Sequence, residues 1–369
     1  MRKDTISFVT LYPRGTNVEL AKDVGQIPYA LGKYKDIDSS LACCFVEQDG
    51  ANKSVLEGLS FHKLKTVLKS PSISGLVFLL KNSKSIDWLN IYHCGRRAYY
   101  WTKVYKFLNP QGKVYLKLDL DFMSCDMFDS NEKERKLFKK VTGAIDLVSV
   151  ESQAVLDRIQ KYAGCELKLI SNGYNELDEE IDFTGSRENR FITVGRLGTE
   201  QKATDVLLEA FVKTADKHNW ILELVGTVEP EFEPVKQKFY EENPGMKERV
   251  IFTDPISDRS KLYYKYAQSK VFVLPSRWES FALVGPEALS CGCRMILSEG
   301  IPPMYEVTNN EKYGRIVPID NADVLADAML EATKHEYNEE EVKEIVAYAK
   351  EHFSWGKICE KLYDYLKEL

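Results

Sequence analysis

Residues 271–292 have the sequence VFVLPSRWESFALVGPEALSCG, in which an apolar run leads through a polar loop into a helix-forming segment. The run VFVLP is typical of a buried strand in a parallel sheet. Proline is tolerated only in the first turn of a helix, and glycine often follows the last turn. Pro286 and Gly292 therefore predict a helix that begins around residues 282–286 and ends before residue 292. Glu279 precedes this helix, and Glu287 lies in its early turns.

These two acids have two interpretations. Carboxylates near a helix N-terminus are stabilised by the helix dipole and need no further purpose. Alternatively, Glu279 and Glu287 both line a pocket, in which amides at the helix start face a phosphate and each carboxylate accepts hydrogen bonds from hydroxyl groups. Sugars are ligands that such carboxylates commonly hold, so the second interpretation predicts a sugar-containing ligand.

Apolar runs alternate with amphipathic segments through most of the chain, which is typical of βαβ units around parallel sheets. At 369 residues the chain is too long for one ordinary core. We therefore expect an α/β fold with two doubly wound, Rossmann-like domains facing a central cleft, and a ligand at the carboxyl ends of their strands. The candidate strands are ISFVTL, LACCFVE, GLVFLL, WLNIYH, KVYLKLD, LVSVES and LKLIS, then FITVG, ILELVG, VIFT, VFVLP, MILSE and RIVPI.

The domain boundaries follow from a polar, acidic stretch without an apolar period, NGYNELDEEIDFTGSRENR, which separates the two sets of strands. The closing segment FSWGKICEKLYDYLKEL has apolar residues near helical spacing. The predicted organisation is an N-terminal, acceptor-side domain over 1–175, a linker over 176–190, a C-terminal domain over 191–345, and terminal helices over 346–369 that could pack back on the N-terminal domain.

Composition excludes several classes of protein. The net charge of -6 and the pI near 5.6 argue against a nucleic-acid binder, which usually carries a broad basic surface. The eight cysteines lack the C-x-x-C spacing of zinc and redox sites, which favours a reduced cytosolic setting. The apolar run near the start, ISFVTL, is too short for a signal peptide, and no stretch approaches the roughly 20 apolar residues of a membrane span.

A second strand-to-helix turn lies in FITVGRLGTEQKATDVLLEAF, where Gly195 and Gly198 occupy a loop before a helix. Thr204 is the expected N-cap of that helix. Arg196 and Lys202 lie in the same turn, and two fixed cations beside free backbone amides suit a diphosphate. The alternative is a solvated turn with surface charges.

These segments together resemble glycosyltransferase family 4, the retaining, nucleotide-sugar-dependent enzymes with the two-domain GT-B fold. The resemblance is carried by VGRLGTEQKATDVLLEAF, by the block at 271–292 with its E-x7-E spacing, by SNGYN at 171–175 and by FSWGKICEKLYDYL, and it covers most of residues 167–369. The first half resembles the family only loosely.

The resemblance implies a role for each matching residue. Arg196 and Lys202, with Gly195 beside them, would bind the donor diphosphate and stabilise the leaving group. Glu279 would contact the transferred sugar and Glu287 the ribose hydroxyls. The phosphates would face the amides of the segment Ser280, Phe281, Ala282, Leu283 and Val284. Ser280 and Ala282 stand where the family usually has glycines.

Three departures from the family are visible. Thr253 and Asp254 stand where a glycine commonly precedes the base-binding loop, so the nucleotide is open, with UDP favoured and GDP as the alternative. A glycine-rich loop is expected after the first strand, and we assign Gly25 to it. Where family members often carry a histidine at the end of a strand, KVYLKLDLD ends in Asp119, which would orient the donor sugar or the acceptor hydroxyl.

Two alternatives concern the first half. Asp119 and Asp121 form a D-x-D, which in the other main glycosyltransferase fold, GT-A, holds a divalent metal on the donor. The cations of the second half make a metal redundant, so we expect no metal and no cofactor. Asp119 could instead cap the next turn. His93 follows WLNIY and is a candidate cleft residue or a structural hydrogen bonder.

The basic, aromatic stretches at 61–70 and 95–108 could lie on an anionic membrane or pack in a core. The sequence thus predicts a cytoplasmic retaining hexosyltransferase, which could act at the inner face of the membrane. It would move a sugar from a UDP-sugar to a glycan or lipid-linked glycan. The alternatives are a non-catalytic GT-B glycan-binding or partner subunit, and a UDP-sugar epimerase or hydrolase.

Overall fold

The computed structural model describes residues 5–45, 56–177 and 185–369, except for the side chains of residues 17 and 45. The chain forms two compact units. The first comprises residues 1–175 together with 354–369, and the second comprises residues 176–353. Each unit has its own parallel sheet with helices packed against it, so the prediction of two Rossmann-like α/β domains is confirmed.

Over the described residues, the first unit has a seven-stranded sheet in the order β3-β2-β1-β4-β5-β6-β7, and its paired strands are parallel. The strands are β1 Ser7–Gly15, β2 Asp38–Phe45, β3 Ser60–Lys63, β4 Trp88–Tyr92, β5 Lys113–Lys117, β6 Leu147–Val150 and β7 Leu167–Leu169. The helices of this unit up to residue 175 are α1 Asn17–Ala21, α2 Asp23–Lys35, α3 Pro71–Asn82, α4 Arg96–Leu108, α5 Phe122–Ser130, α6 Glu132–Thr142 and α7 Gln153–Ile159.

The second unit has a six-stranded parallel sheet, within the described residues, in the order β10-β9-β8-β11-β12-β13. Its strands are β8 Glu188–Val194, β9 Ile221–Val225, β10 Val250–Thr253, β11 Ser269–Leu274, β12 Arg294–Ser298 and β13 Gly314–Val317. Its helices are α8 Thr204–Thr214, α9 Glu233–Glu242, α10 Arg259–Gln268, α11 Val284–Ser290, α12 Met304–Thr308, α13 Ala322–Thr333 and α14 Glu339–Phe353.

The last helix, α15 Trp355–Glu368, belongs to the first unit. Its buried apolar face packs against α2 and completes one side of that unit's core. The terminal helices predicted over 346–369 are therefore divided between the two units. Residues 346–353 are the end of α14, which packs on α11 in the second unit, and the break falls at Ser354, the N-cap of α15.

Two local predictions are wrong. GLVFLL is part of helix α3 rather than a strand, because Ser70 caps the helix, Pro71 occupies its first turn, and the buried positions 74, 75, 78 and 79 follow helical spacing. The linker predicted over 176–190 extends too far, because β8 begins at Glu188 and Arg190 is already buried there. Residues 178–184 of that linker lie outside the described residues.

No helix among the described residues is long and apolar enough to cross a membrane.

Candidate active site

Two loops of the second unit leave its sheet at the same edge, because they follow the parallel neighbours β8 and β11. We call residues 195–203 loop A and residues 275–283 loop B. The amide of Arg277 donates a hydrogen bond to the Gln201 carbonyl at 2.8 Å, and the Gln201 side-chain amide donates to the Trp278 carbonyl at 3.0 Å. Loops A and B are therefore bound to each other and form one surface at the carboxyl ends of the strands.

Glu279 and Lys202 form an ion pair across these loops. The Lys202 ammonium lies 2.5 Å from one Glu279 carboxylate oxygen, which also accepts a hydrogen bond from the Ser276 hydroxyl at 2.8 Å. The Gln201 amide reaches the other oxygen at 3.3 Å. Because the Glu279 side chain is only 9% exposed, this set of donors supplies the compensation that a buried carboxylate requires.

Close backbone packing shapes loop A. A Cβ atom on Gly195 would lie 3.3 Å from Lys202 Cε, so a glycine here leaves room for the lysine stem. Gly226, at the end of β9, has φ +147° and would place a Cβ 1.8 Å from the Gly195 carbonyl oxygen. The Lys202 side chain thus packs against Gly195, where the backbone comes so close to residue 226 that only glycine fits at position 226.

Arg196 differs from Lys202 in its surroundings. Its side chain is exposed, and its guanidinium reaches the Gln201 side-chain oxygen at 3.4 Å. Among the described residues it has no acidic partner within 4.0 Å. Loop A therefore carries one cation already paired with a carboxylate and one that faces solvent.

Loop B supplies free backbone donors at the start of α11. Within the part of the chain that the structure describes, the amides of residues 280–284 have no hydrogen-bond partner. Phe281 is buried and anchors the loop, and Ala282 has φ +63°, a conformation that glycine adopts more readily. Ala282 therefore holds a left-handed conformation that a glycine would adopt without steric cost. The helix itself spans Val284–Ser290, in agreement with the predicted start and end.

Glu287 lies in the first turn of α11 and is 7% exposed. One of its carboxylate oxygens accepts a hydrogen bond from Arg259 Nη1 at 2.7 Å. Arg259 is the first residue of α10, which follows the loop after β10. Both acids of the E-x7-E pair are therefore buried and matched with a cation.

The structure thus brings together Gly195, Arg196, Lys202, Glu279 and residues 280–284 through loops A and B, and α11 continues from loop B to Glu287. Sequence reasoning missed Gln201, Ser276 and Arg259. Ser276 and Gln201 sit inside the quoted loops and could have been found as polar neighbours of Glu279. The prediction that Thr204 is the N-cap of α8 is wrong. Ala203 holds the cap position with φ +49°, and the Thr204 hydroxyl instead accepts a hydrogen bond from the Gly198 amide at 2.8 Å.

The remaining predicted residues lie in the first unit. Asp119 is exposed two residues after β5, and His93 follows β4 with φ +61°, its Nε2 3.3 Å from the Tyr12 hydroxyl. The strands β1, β4 and β5 are parallel neighbours, so these side chains share one edge of the sheet. Desolvation by the surrounding protein lowers the pKa of His93, and the charge of Asp119 opposes this shift.

Two residues of the first unit have structural roles that the sequence did not indicate. Gly25 is not in a loop after β1; it lies in the first turn of α2, where a Cβ would be 2.3 Å from the Leu20 carbonyl oxygen of α1. Close packing of α1 on α2 therefore explains this glycine. Asp121 of the D-x-D caps α5, accepting a hydrogen bond from the Ser124 amide at 2.6 Å, whereas Asp119 does not. The described residues contain no cluster of three or more metal-ligating side chains.

A buried polar cluster lies at the same carboxyl edge of the first sheet. Lys117 is fully buried, donates to the Ile170 carbonyl at 2.9 Å and lies 3.3 Å from the Glu151 carboxylate. Burial raises the pKa of Glu151 to about 8, although Lys117 opposes the shift, and burial raises the pKa of Asp23 to about 6. The carboxyl groups of Glu151 and Asp23 therefore keep their protons to higher pH than ordinary carboxyl groups do.

We expect Glu151→Gln to flatten the pH dependence of stability. Because the pKa of Glu151 is raised from 4.5 to about 8 in the folded state, the folded chain binds more protons in that window, and the free energy of unfolding falls as pH rises through it. The free energy of unfolding changes by on the order of a few kcal/mol, because each unit of pKa shift corresponds to about 1.4 kcal/mol. Urea unfolding between pH 6 and 8 measures it, and Asp23, whose pKa is raised to about 6, is present in both wild type and the variant and contributes equally to both slopes. Exposed Glu57→Gln is the control, and an equal slope in Glu151→Gln and wild type contradicts the expectation.

The fold matches the GT-B fold of glycosyltransferases of known structure. HepE from Anabaena, solved in complex with UDP, has a TM-score of 0.71 and 17% identity over 99% of this chain and 100% of that chain. The same protein has also been solved with UDP-glucose. At this level of identity the likeness establishes the fold alone, and it confirms the GT-B prediction.

The sequence comparisons find similarity to glycosyltransferases over part of the chain. Residues 176–352, which lie in the second unit, match the family model described as Glycosyl transferases group 1. An uncharacterized 41.2 kDa protein in the cps region of Klebsiella pneumoniae is 28% identical over 201 residues, which are 54% of this chain and 48% of the relative. An uncharacterized glycosyltransferase of Methanocaldococcus jannaschii is 30% identical over 175 residues, 44% of this chain and 43% of the relative. The matches span just under half the length of these curated relatives.

Proposed function

We propose that this protein is a retaining glycosyltransferase that moves a hexose-type sugar from a nucleotide diphosphate sugar to a hydroxyl group of a glycan or lipid-linked glycan. UDP is the favoured nucleotide, since HepE, a protein of the same fold, has been solved with UDP and with UDP-glucose. GDP is the alternative that the unusual Thr253 and Asp254 leave open.

The observation that carries this proposal is the composition of the surface made by loops A and B. One solvent-facing guanidinium, Arg196, lies in loop A, which also carries an ammonium that is held by Glu279. Free amides over residues 280–284 follow at the end of loop B and the start of α11. Cations and unpartnered amides at the carboxyl edge of a parallel sheet are the groups that bind a diphosphate. A purely structural turn has no need of all of them.

In the reaction, the bond between the anomeric carbon and the diphosphate oxygen breaks, and a bond to the acceptor oxygen forms on the same face. The acceptor proton passes to an oxygen of the departing diphosphate, as the family resemblance implies. Negative charge grows on the diphosphate, so Arg196, Lys202 and the loop B amides act by stabilising the leaving group. These donors supply the positive charge that a metal would otherwise provide, and we propose that the reaction needs none.

The two acids would hold opposite ends of the donor. Glu279 is placed by Lys202, Ser276 and Gln201, and its carboxylate would accept hydrogen bonds from the sugar hydroxyls. Glu287 would accept hydrogen bonds from the ribose hydroxyls. Bonds from neutral hydroxyls to a charged acceptor are among the stronger hydrogen bonds in proteins.

On the acceptor side we propose Asp119 as the group that orients the donor sugar or the acceptor hydroxyl. Its exposure and its position after β5 leave it accessible to a ligand. His93 shares that edge of the sheet and is the second candidate.

Titration of the purified protein with UDP, GDP and ADP by calorimetry and thermal shift, with and without magnesium or a chelator, tests the donor site. A bound ligand stabilises the folded state by mass action. We expect one nucleotide, UDP, to bind without magnesium and Glu287→Ala to abolish the binding. Binding that requires magnesium would support the D-x-D alternative, and binding of no nucleotide would favour a non-catalytic GT-B protein.

Product analysis separates the remaining enzymatic alternatives. A transferase given UDP-glucose and a glycan acceptor forms a glycoside, whereas a hydrolase releases free sugar and an epimerase releases an isomeric UDP-sugar without any acceptor.

We further propose a cytoplasmic location with contact to the inner membrane face through residues 61–70 and 95–108. Helix α4 supports this through the exposed Tyr100 and Phe107, which are 60% and 84% exposed and lie near Lys103. Exposed aromatics beside basic residues suit an anionic surface. Co-sedimentation with anionic vesicles measures the contact, with Phe107→Ser as the weakened variant; equal recovery with and without vesicles would exclude it.

A further inference from the structure

Glu287 presents a problem of charge. It is a carboxylate with 7% exposure, and it stands next to the segment that would receive a diphosphate. An uncompensated buried carboxylate is costly, and one beside a diphosphate also repels it. Within the described chain the compensation comes from Arg259, whose Nη1 donates to Glu287 Oε1 at 2.7 Å.

Arg259 is fixed at the junction of two helices. It begins α10 directly after the cap residue Asp258, and α10 packs on α11, which carries Glu287. Its guanidinium also interacts with the phenol of Tyr263, one turn further along α10 and 2% exposed. Burial disfavours the charge of Arg259, but the Glu287 carboxylate more than offsets this and holds the pKa of Arg259 above its ordinary value.

The arrangement repeats the one at the other acid. Glu279 is paired with Lys202 from loop A, and Glu287 is paired with Arg259 from α10. Each acid of the E-x7-E pair thus has a cation from a different element, and each pair is neutral as a whole. The site can therefore present carboxylate oxygens to hydroxyl groups without adding net negative charge near a diphosphate.

We infer that Arg259 is a positioning residue for nucleoside recognition. By holding one oxygen of Glu287, it turns the other oxygen toward the ribose hydroxyls and cancels the charge that would repel the diphosphate. This inference rests on the proposed function and adds to it the residue on which ribose selectivity depends. A guanidinium suits the task because its planar fork can bond Glu287 and Tyr263 at once, whereas an ammonium is a point charge.

The test is calorimetric titration of wild type, Arg259→Met, Arg259→Lys and Glu287→Gln with UDP, 2′-deoxy-UDP and 3′-deoxy-UDP. Wild type is expected to prefer UDP over at least one deoxy analogue by roughly tenfold or more, as a hydrogen bond to a charged group requires. In Arg259→Met this preference falls to about twofold or less and UDP binds roughly tenfold more weakly. Arg259→Lys keeps the charge without the fork and is expected to recover affinity for UDP but only part of the preference.

Lys261→Met is the matched control, because Lys261 is an exposed cation on the same helix. The double variant Arg259→Met/Glu287→Gln should be no worse than Glu287→Gln alone if the arginine acts through Glu287. An unchanged ratio of UDP to deoxy-UDP affinity in Arg259→Met and in Arg259→Lys overturns the inference while leaving the donor site intact. Failure of wild type to bind any nucleoside diphosphate overturns the proposed function and the inference with it.

Discussion

Arg196→Ala is expected to lower kcat by about a hundredfold or more, which is the usual effect of removing one transition-state donor. The guanidinium faces solvent and has no acidic partner among the described residues. It is therefore available to stabilise the negative charge that develops on the departing diphosphate. For the same reason its loss should leave the free energy of unfolding within about 0.5 kcal/mol of wild type.

Steady-state kinetics with UDP-glucose, together with a thermal melt, measure both effects. Arg315→Ala is a suitable control, since Arg315 is a half-exposed arginine on β13 of the same unit. Turnover equal to that of wild type in Arg196→Ala would remove the central claim that this residue stabilises the leaving group.

Lys202→Met should reduce turnover by a similar factor of about a hundredfold or more, but with a second consequence that Arg196 does not share. The lysine is the cation that compensates Glu279, whose side chain is 9% exposed. Breaking a buried pair on one side leaves an uncompensated charge and costs about 3–5 kcal/mol, and partial exposure of both groups reduces this figure. The melting temperature should therefore fall together with activity.

The double variant Lys202→Met/Glu279→Gln distinguishes the two consequences. Removing both charges should restore most of the lost stability, because neither group is then left unpaired. Activity should stay low, since the cation for the leaving group is still missing. Turnover in the double variant equal to that of Glu279→Gln alone would show that Lys202 acts only by supporting Glu279.

The sequence predicted the second unit better than the first, and the reason is physical. In 271–292, proline and glycine mark the ends of α11, and a continuous apolar run marks β11, so local signals coincide with the fold. In GLVFLL the apolar run has the length of a strand, and only the cap at Ser70 and the proline after it reveal a helix. Gly25 was misplaced because its small size serves packing between two helices rather than a turn.

The residues of the candidate site could likewise be predicted only in part. The residues of the proposed donor site could be predicted from their spacing, since Arg196, Lys202, Glu279 and Glu287 lie in two continuous segments. Their partners could not, because Arg259 reaches Glu287 from another helix 28 positions away in sequence. The ion pair of Lys202 with Glu279 likewise spans 77 positions and becomes visible only when loops A and B meet.

The return of the chain to the first unit affects the order in which the protein can fold during synthesis. Trp355, Ile358, Leu362 and Leu366 of α15 are buried with Ile27 and Leu31 in one core cluster. A nascent chain that has reached residue 353 holds every residue of the second unit, but it still lacks one wall of the first. The amino-terminal half, although made earlier, must therefore wait for α15 to leave the ribosome before this side of its core can close.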